Sequence, residues 1–402
     1  MSGYGVWITH PERQHSHQFA MAMAENNTLD RYVHGAPIPP DTAQIVPHSR
    51  RRRLGYCRYA RIALNACLSP RLALEIYYRM IWSFDFWMSR SMAVERRPVV
   101  VGYENAVLNQ FRRAKALGLP CILDNSGVHH ALQARMTQSR VSESFRRRIV
   151  ARKDEELALA DLVVTCSSFA AESFIAGGVS QEKIRIVPLG CDTELFGKQE
   201  RLEVAPATPI RFLFVGRLQN LKGVDLLAAA AQRLRDDGVP FELTIAAPLE
   251  AADTGIEEAL RPIARMLGRV THEELRLHYA QADCVITPSR YDSFAFVVAE
   301  ALASGVPVIV TDHVGSKDMI ADGRNGWIIP AAQLEPLIER MAWCAKNPQS
   351  VRAMSGEARE TAKHWSWPRY RAHVVRTLDE FMLPRTQNKA KIPNPIISDS
   401  AA

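Results

Sequence analysis

Between residues 290 and 310 the chain reads RYDSFAFVVAEALASGVPVIV, with two carboxylates, Asp292 and Glu300, eight residues apart. Helix propensity and the apolar pattern predict a helix over about 294–303, stopped by SGVP ahead of a buried strand. Asp292 then lies in the loop before the helix and Glu300 two turns into it. A helix start presents N–H groups, here those of Phe294, Ala295 and Phe296, and these form a natural seat for a phosphate anion. One carboxylate on each side of that seat suits hydroxyl groups attached at either side of a diphosphate, the layout of a nucleoside diphosphate sugar. The competing reading is a capping Asp292 and a solvent-facing Glu300. The apolar neighbours Val297, Val298, Ala299, Ala301 and Leu302 make the second half of that reading less comfortable.

A second candidate is FLFVGRLQNLKGVDLL, where a strand ends at Gly216, Arg217 follows, and Lys222 comes five residues later, before an amphipathic helix. Arginine offers a planar fork of donors and lysine a mobile point charge, a combination that suits a polyphosphate. Surface loops also carry such residues without any ligand. In the first half, CILDNSGVHH places Asp124 at a strand end and His129 and His130 in the loop after it. THPERQHSHQF puts Ser16 and His17 at the start of a helix. A histidine in a loop is more often incidental, so both readings stand for these residues.

The elements that must position these groups alternate. YGVWITH, RPVVVGYEN, LPCILDNSG, ADLVVTCSS and KIRIVPLG read as buried strands of the first half, with helices over 105–117 and 143–160 between them. IRFLFVG, FELTIAA, DCVITPS, VPVIVTD and GWIIP repeat the scheme in the second half. Strands alternating with helices predict parallel sheets covered on both faces, in which ligands sit beyond the carboxyl ends of the strands. The polar, proline-bearing GKQERLEVAPATP marks a boundary, giving two doubly wound domains, 1–200 and 201–364. A terminal helix over about 365–385, packing back on the first domain, and a disordered tail over 386–402 complete the expectation.

Seven scattered cysteines without a CxxC pair read as reduced packing residues of a cytosolic protein. The amino-terminal stretch lacks the pattern of a secretory signal, and no run of 18 uncharged apolar residues occurs. The net charge of +7 comes from residues 1–200, with 26 basic against 19 acidic side chains, concentrated in Arg50–Arg53, Arg58, Arg61 and Arg146–Arg148. Such clusters serve nucleic acid, an anionic membrane or an acidic ligand, or are simply solvated. No nucleic-acid-binding motif accompanies them, so nucleic acid is not expected.

As an ordered set, ELALADLVVTCSSFAAESFIAGGVSQEKIRIVPLGCDTELF, FLFVGRLQNLKGVDLL and ADCVITPSRYDSFAFVVAEALASGVPVIVTDHVGSKDMI resemble the retaining glycosyltransferases of family 4, glycosyl transferases group 1. The resemblance covers about 150–330 and thins over the first 150 residues. It implies a GT-B fold, two Rossmann-like domains facing a central cleft, the first binding an acceptor and the second a nucleotide-sugar donor. Position by position, Arg217 and Lys222, with Gly216 beside them, would bind the donor diphosphate and Glu300 the ribose hydroxyls. Phe294, Ala295 and Phe296 would offer backbone N–H groups to the leaving phosphate and sugar. Asp292 takes the place of the first glutamate of the family's pair, a departure by one methylene that puts sugar preference in doubt. GRVTHEEL matches the loop beneath the nucleobase, with backbone contacts at Arg269 and Val270. His129 would stand near the transferred sugar, and His130, Asp124, Ser16 and His17 on the acceptor side, although a glycine-rich loop usual after the first strand is absent.

The expected reaction is retaining transfer of a hexosyl unit to a hydroxyl of a glycan or lipid-linked acceptor. No cofactor or metal is invoked, because Arg217, Lys222 and the helix start meet the phosphate charge and the chain has no DxD. The aromatic-rich stretch 72–92 reads either as a buried helix or, with the Arg50–Arg61 cluster, as a surface for an anionic bilayer at the cytoplasmic membrane face. A nucleotide-sugar epimerase and a non-catalytic sugar-nucleotide-binding subunit remain as alternatives. A dehydrogenase is disfavoured, since no GxGxxG follows a predicted strand.

Overall fold

The computed structural model describes residues 4–93, 97–137, 139–199, 205, 208–249 and 253–389. Its thirteen described strands form two parallel sheets, as the alternation of elements predicts. The first contains β1 (Val6–His10), β2 (Leu29–His34), β3 (Arg51–Arg53), β4 (Val99–Tyr103), β5 (Cys121–Asn125), β6 (Leu162–Thr165) and β7 (Ile184–Ile186), in the order β3-β2-β1-β4-β5-β6-β7. The second contains β8 (Ile210–Val215), β9 (Phe241–Ala246), β10 (Arg265–Gly268), β11 (Cys284–Thr287), β12 (Val308–Thr311) and β13 (Gly326–Ile329), in the order β10-β9-β8-β11-β12-β13. Each sheet is Rossmann-like, and the strand order reverses between β1 and β4 and again between β8 and β11. A crevice for ligands opens at such a reversal. The loops that follow β8 and β11 are those carrying Arg217, Lys222 and Asp292.

The helices used below are α1 (Ser16–Glu25), α2 (Tyr56–Cys67), α3 (Pro70–Ser91), α4 (Leu108–Ala116), α5 (His130–Met136), α6 (Glu143–Leu159), α7 (Ser168–Ala176), α8 (Val224–Asp236), α9 (His272–Gln281), α10 (Phe296–Ala303) and α11 (Trp367–Lys389). By contacts the chain forms two compact units. One comprises residues 4–123, 154–161 and the helix from Arg371, and the other residues 124–153 and 162–370. The strands of the first sheet end at 186 and those of the second begin at 210. The boundary expected at 200/201 falls in that interval, with 200–204 outside the described residues.

Period-two alternation builds the second sheet. Ile210, Phe212 and Phe214 of β8 enter a core shared with Leu227, Ala231 and Leu234 of α8, while Leu213 enters the opposite core with Val298, Ala301 and Leu302 of α10. β11 and β12 divide in the same way, with Ile286 and Ile309 on one side and Val285, Val308 and Val310 on the other. Strands buried on both faces read as continuous apolar runs, which is why the sequence located them.

Three strands were not expected. β2 interleaves charge with apolar residues, β3 is three arginines, and β10 is a short edge strand. The final helix extends to Lys389, so the first four residues assigned to the tail are helical, and 390–402 lie outside the described residues. Six cysteines are buried as expected, but Cys67 is exposed. No described helix is long and apolar enough to cross a membrane.

At the start of β11 a fully buried carboxylate, Asp283, is gripped by two guanidinium groups. Arg211 donates to it from Nε and Nη2 at 3.0 and 2.9 Å, and Arg352 from Nε and Nη2 at 3.1 and 3.0 Å. Burial works to raise the Asp283 carboxyl, but the hydrogen bonds from Arg211 and Arg352 outweigh it and hold the group below its ordinary value. Its stabilisation is therefore complete at neutral pH and is lost as pH falls below about 4 through the lowered value. Asp283→Ala, which leaves two cations without their partner, is expected to destabilise the second sheet by about 3–5 kcal/mol in urea unfolding at pH 7. A change of only a few tenths of a kcal/mol would show that the cluster contributes specificity rather than stability.

Candidate functional site

The loop after β8 turns at Gly216 (φ +153°) and runs through Arg217 to a short 3-10 turn, Asn220–Lys222. Gly223 then adopts φ +67°, and a Cβ there would lie 1.8 Å from the Pro288 carbonyl oxygen. Only glycine admits this approach, which brings the end of the β8 loop against the start of the β11 loop. Arg290 fastens the same junction, with both Nη atoms 2.6 Å from the Asp225 carboxylate and Nη1 also donating to the Asn220 carbonyl. Arg217 is exposed and its side chain has no partner among the described residues.

Lys222 reaches across the junction. Its Nζ lies 2.5 Å from Asp292 Oδ2, while Asp292 Oδ1 accepts from the N–H groups of Phe294 (3.2 Å) and Ala295 (3.1 Å). The seat expected to be open at the helix start is therefore partly filled from within. Aspartate is short enough for its carboxylate to fold onto the N–H groups two and three residues ahead, as in an Asx-turn. Two of the three N–H groups singled out in the sequence are taken, and that of Phe296 is not among them. α10 begins at Phe296, two residues later than expected. Ala295, which precedes it, is buried at φ +62°, ψ 81°, a left-handed conformation that costs a residue with a Cβ about 1–2 kcal/mol.

The surrounding backbone holds this strained turn. Asp292 N–H donates to the His313 carbonyl, and the N–H groups of Gly315 and Ser316 donate to the carbonyls of Asp292 and Phe294. From the other side Ser167, the N-cap of α7, donates through Oγ to the Ser293 carbonyl at 2.8 Å. Phe294 is buried with its ring 5.1 Å from that of Phe296, which is half exposed and 6.1 Å from Trp367.

Glu300 is buried within α10, and Tyr279 of α9 donates its hydroxyl to Glu300 Oε2 at 3.0 Å. Burial raises the Glu300 carboxyl above its ordinary value, against the smaller opposing effects of Tyr279 and His272. The solvent-facing alternative is thereby removed. Tyr279 escaped the sequence reading because HEELRLHYAQ offers it only as another apolar residue on an amphipathic helix. α9 itself starts with a capping box, Thr271 Oγ1 accepting from Glu274 N–H and Glu274 Oε2 accepting from Thr271 N–H. Arg269 and Val270 stand immediately before it, Arg269 exposed and Val270 half-buried. One rigid helix thus sets both the loop at 269–270 and the partner of Glu300.

Asp124 is buried at the end of β5. His129 is buried as well, and Nδ1 accepts from Ala131 N–H at 3.2 Å while its backbone N–H donates to Ser173 Oγ at 2.9 Å. Its ring lies 5.5 Å from Phe174 and 4.1 Å from the half-buried His130. α7 therefore touches His129 at Ser173 and Ser293 at Ser167, six residues or about 9 Å apart along the helix. Ser16 and His17 belong to the other compact unit. Ser16 Oγ lies 2.8 Å from the Tyr32 hydroxyl, and His17 Nδ1 2.9 Å from the Gln14 carbonyl. Burial, with Arg13 adding to it, pushes His17 down to about 4, so its imidazole is neutral at physiological pH.

The raised Glu300 carboxyl gives a pH prediction. The folded state binds the proton more tightly than the unfolded chain, so ionisation costs stability as pH rises past about 4.3, the ordinary glutamate value, and through the raised folded value. Glu300→Gln keeps an acceptor for Tyr279 and removes that cost. The variant is expected to melt at a higher temperature than the parent at about pH 7.5, the gap closing towards pH 4. A lower Tm at every pH would contradict this account of the site.

Residues 209–347 match the family profile described as glycosyl transferases group 1. A D-inositol 3-phosphate glycosyltransferase of Arthrobacter sp. (strain FB24) is 30% identical over 258 residues, 58% of this chain and 61% of that protein. The protein of the same name from Nocardia farcinica (strain IFM 10152) is 31% identical over 220 residues, 50% of this chain and 48% of its own. The chain thus spans about half to three fifths of the length of these curated relatives. Among solved structures, a sucrose-phosphate synthase from Thermosynechococcus elongatus superposes with a TM-score of 0.65 at 18% identity, over 96% of this chain and 100% of that one. Anabaena Alr3699/HepE in complex with UDP-glucose gives 0.60 at 15% identity, over 93% and 99%. The chain has the GT-B fold, and the stretch of its second sheet that holds Lys222, Asp292 and Glu300 lies within the residues that resemble the glycosyl transferases group 1 profile.

Proposed function

We propose that the protein is a retaining glycosyltransferase that moves a hexosyl unit from a nucleoside diphosphate sugar to an acceptor hydroxyl of a glycan or lipid-linked substrate. The observation that carries this reading is the convergence of Lys222 and the Asp292–Phe296 turn at the strand-order reversal of the second sheet, with a buried Glu300 on the helix that follows. The donor diphosphate takes the place of the Asp292 carboxylate at Lys222, and Arg217 adds a second cation. The N–H groups at the start of α10 then face the leaving phosphate. Glu300, oriented by Tyr279, accepts from the ribose hydroxyls, and the backbone at 269–270 lies beneath the base.

Positive charge supplied by side chains and backbone dipoles stabilises the leaving diphosphate, so a metal ion is not required in this scheme. His129, held by α7, stands near the transferred sugar, and Asp124, His130, Ser16 and His17 lie on the acceptor side. Retention of configuration rests on the family resemblance, in which the leaving phosphate assists deprotonation of the acceptor. The Anabaena neighbour in complex with UDP-glucose makes a UDP-sugar the first donor to try.

Calorimetric titration with UDP-, GDP- and ADP-sugars tests the assignment. One donor is expected to bind saturably, and Glu300→Ala and Lys222→Ala are each expected to cost about 2 kcal/mol or more of transition-state stabilisation in the transfer reaction. Near-normal turnover in either variant would remove that residue from the site. Epimerised donor formed without any acceptor would identify an epimerase instead.

A further inference from the structure

α2 presents the wrong face to water. Only Cys57 of its twelve residues is buried, and the residues at helical spacing on its outer face are Tyr59, Ile62, Ala63 and Ala66. Tyr59 and Ile62 are each 58% exposed. An amphipathic helix on a soluble protein normally turns such a stripe inward. Here the inner side is supplied by Cys57 and Leu64, and the helix is fixed to α3 by its first turn, where the Tyr56 hydroxyl lies 3.2 Å from Ser83 Oγ. One turn further along the same ridge of α3 stands Trp87, 61% exposed, with the exposed Phe86 beside it.

The stretch 72–92 is part core and part exposed. Ala73, Ile81, Phe84 and Met88 are core, whereas Phe86 and Trp87 at its far end are exposed, 42% and 61%.

The charge along this stretch of the chain has one sign. Residues 42–74 contain seven arginines and no Asp or Glu. Some of these arginines are committed to the fold: Arg50 donates to the Leu29 carbonyl, and Arg51 to those of Ala43 and Val46. Arg61 pairs with Glu12 at 2.8 Å. Arg52 and Arg58 have no partner among the described residues, and Arg53 lies over the Tyr59 ring, donating to its hydroxyl at 2.6 Å.

We propose that this face, with Tyr59, Ile62 and Trp87 as its apolar part and Arg52, Arg53 and Arg58 as its cationic part, docks on an anionic lipid bilayer. Aliphatic and aromatic side chains ringed by arginine suit the boundary between headgroups and acyl chains. A second copy of the chain would set arginines against arginines, and Ile62, Ala63 and Ala66 offer nothing to a nucleobase. The inference is independent of the donor chemistry proposed above.

Flotation of the full chain with vesicles tests it. Vesicles of equal parts phosphatidylcholine and phosphatidylglycerol are expected to carry the protein at low salt and progressively less as salt rises, and vesicles of phosphatidylcholine alone to carry little. Tyr59→Ser with Ile62→Ser, and separately Arg52→Gln with Arg58→Gln, should each reduce the bound fraction by roughly tenfold while thermal melts and donor titrations stay unchanged. None of the four residues is buried, so the melts distinguish lost docking from lost folding. Absence of flotation at low salt, or equal flotation of the serine variant, would overturn the proposal. So would a concentration-dependent dimer in light scattering that the serine variant abolishes.

Discussion

The candidate site depends on where the Asp292 carboxylate goes. One oxygen meets Lys222 and the other closes onto the N–H groups of Phe294 and Ala295, so a single side chain joins the β8 loop to the start of α10. A partly exposed ion pair by itself contributes little to stability. Its importance here is geometric, because the turn it closes forces a residue with a Cβ into a left-handed conformation. Strain of that kind persists only where the surroundings over-determine the backbone. The carbonyls and N–H groups of 313–316 and the Ser167 hydroxyl supply that determination.

Around this turn the second sheet acts as a rigid frame. Gly223 lets the two loops approach to a distance no other residue permits, and Arg290 holds them there through Asp225. Burial works against the Asp225 carboxylate, but the hydrogen bond from Arg290 outweighs it and keeps the group below its ordinary value, so the link is ionised at neutral pH. On the opposite side, α9 and α10 are packed into one core, and the Tyr279–Glu300 contact forms inside it. A buried carboxylate with one neutral donor is a costly arrangement for stability. A protein that retains it keeps an acceptor in a low-dielectric position, where a hydrogen bond from a ligand is strongest.

The other compact unit solves a different problem. The first N–H groups of α4 are met by Glu156 and Asp85, two fully buried carboxylates distant in sequence. No side chain at the helix's own N-cap does this work. The carboxyl ends of β1 and β2 carry His10 and His34, both lowered by burial, so this edge is polar yet uncharged at its centre. Positive charge is displaced outward to β3 and α2, where it meets solvent beside exposed apolar side chains.

The sequence by itself determined the segments. Apolar runs of four to six residues marked the buried strands because parallel strands are covered on both faces, and the spacing of Gly216, Arg217, Lys222, Asp292 and Glu300 marked a candidate site. It could not locate β3, whose three arginines carry no apolar signal and which is a strand only because β2 offers it an edge. Nor could it show that Lys222 meets Asp292 across seventy residues, that Tyr279 supports Glu300, or that α2 turns its apolar face outward. Periodicity reports how a segment distributes polarity around its own axis. Which polar groups meet, and which apolar faces go uncovered, is decided by strand order and helix packing, and these exist only once the whole chain has folded.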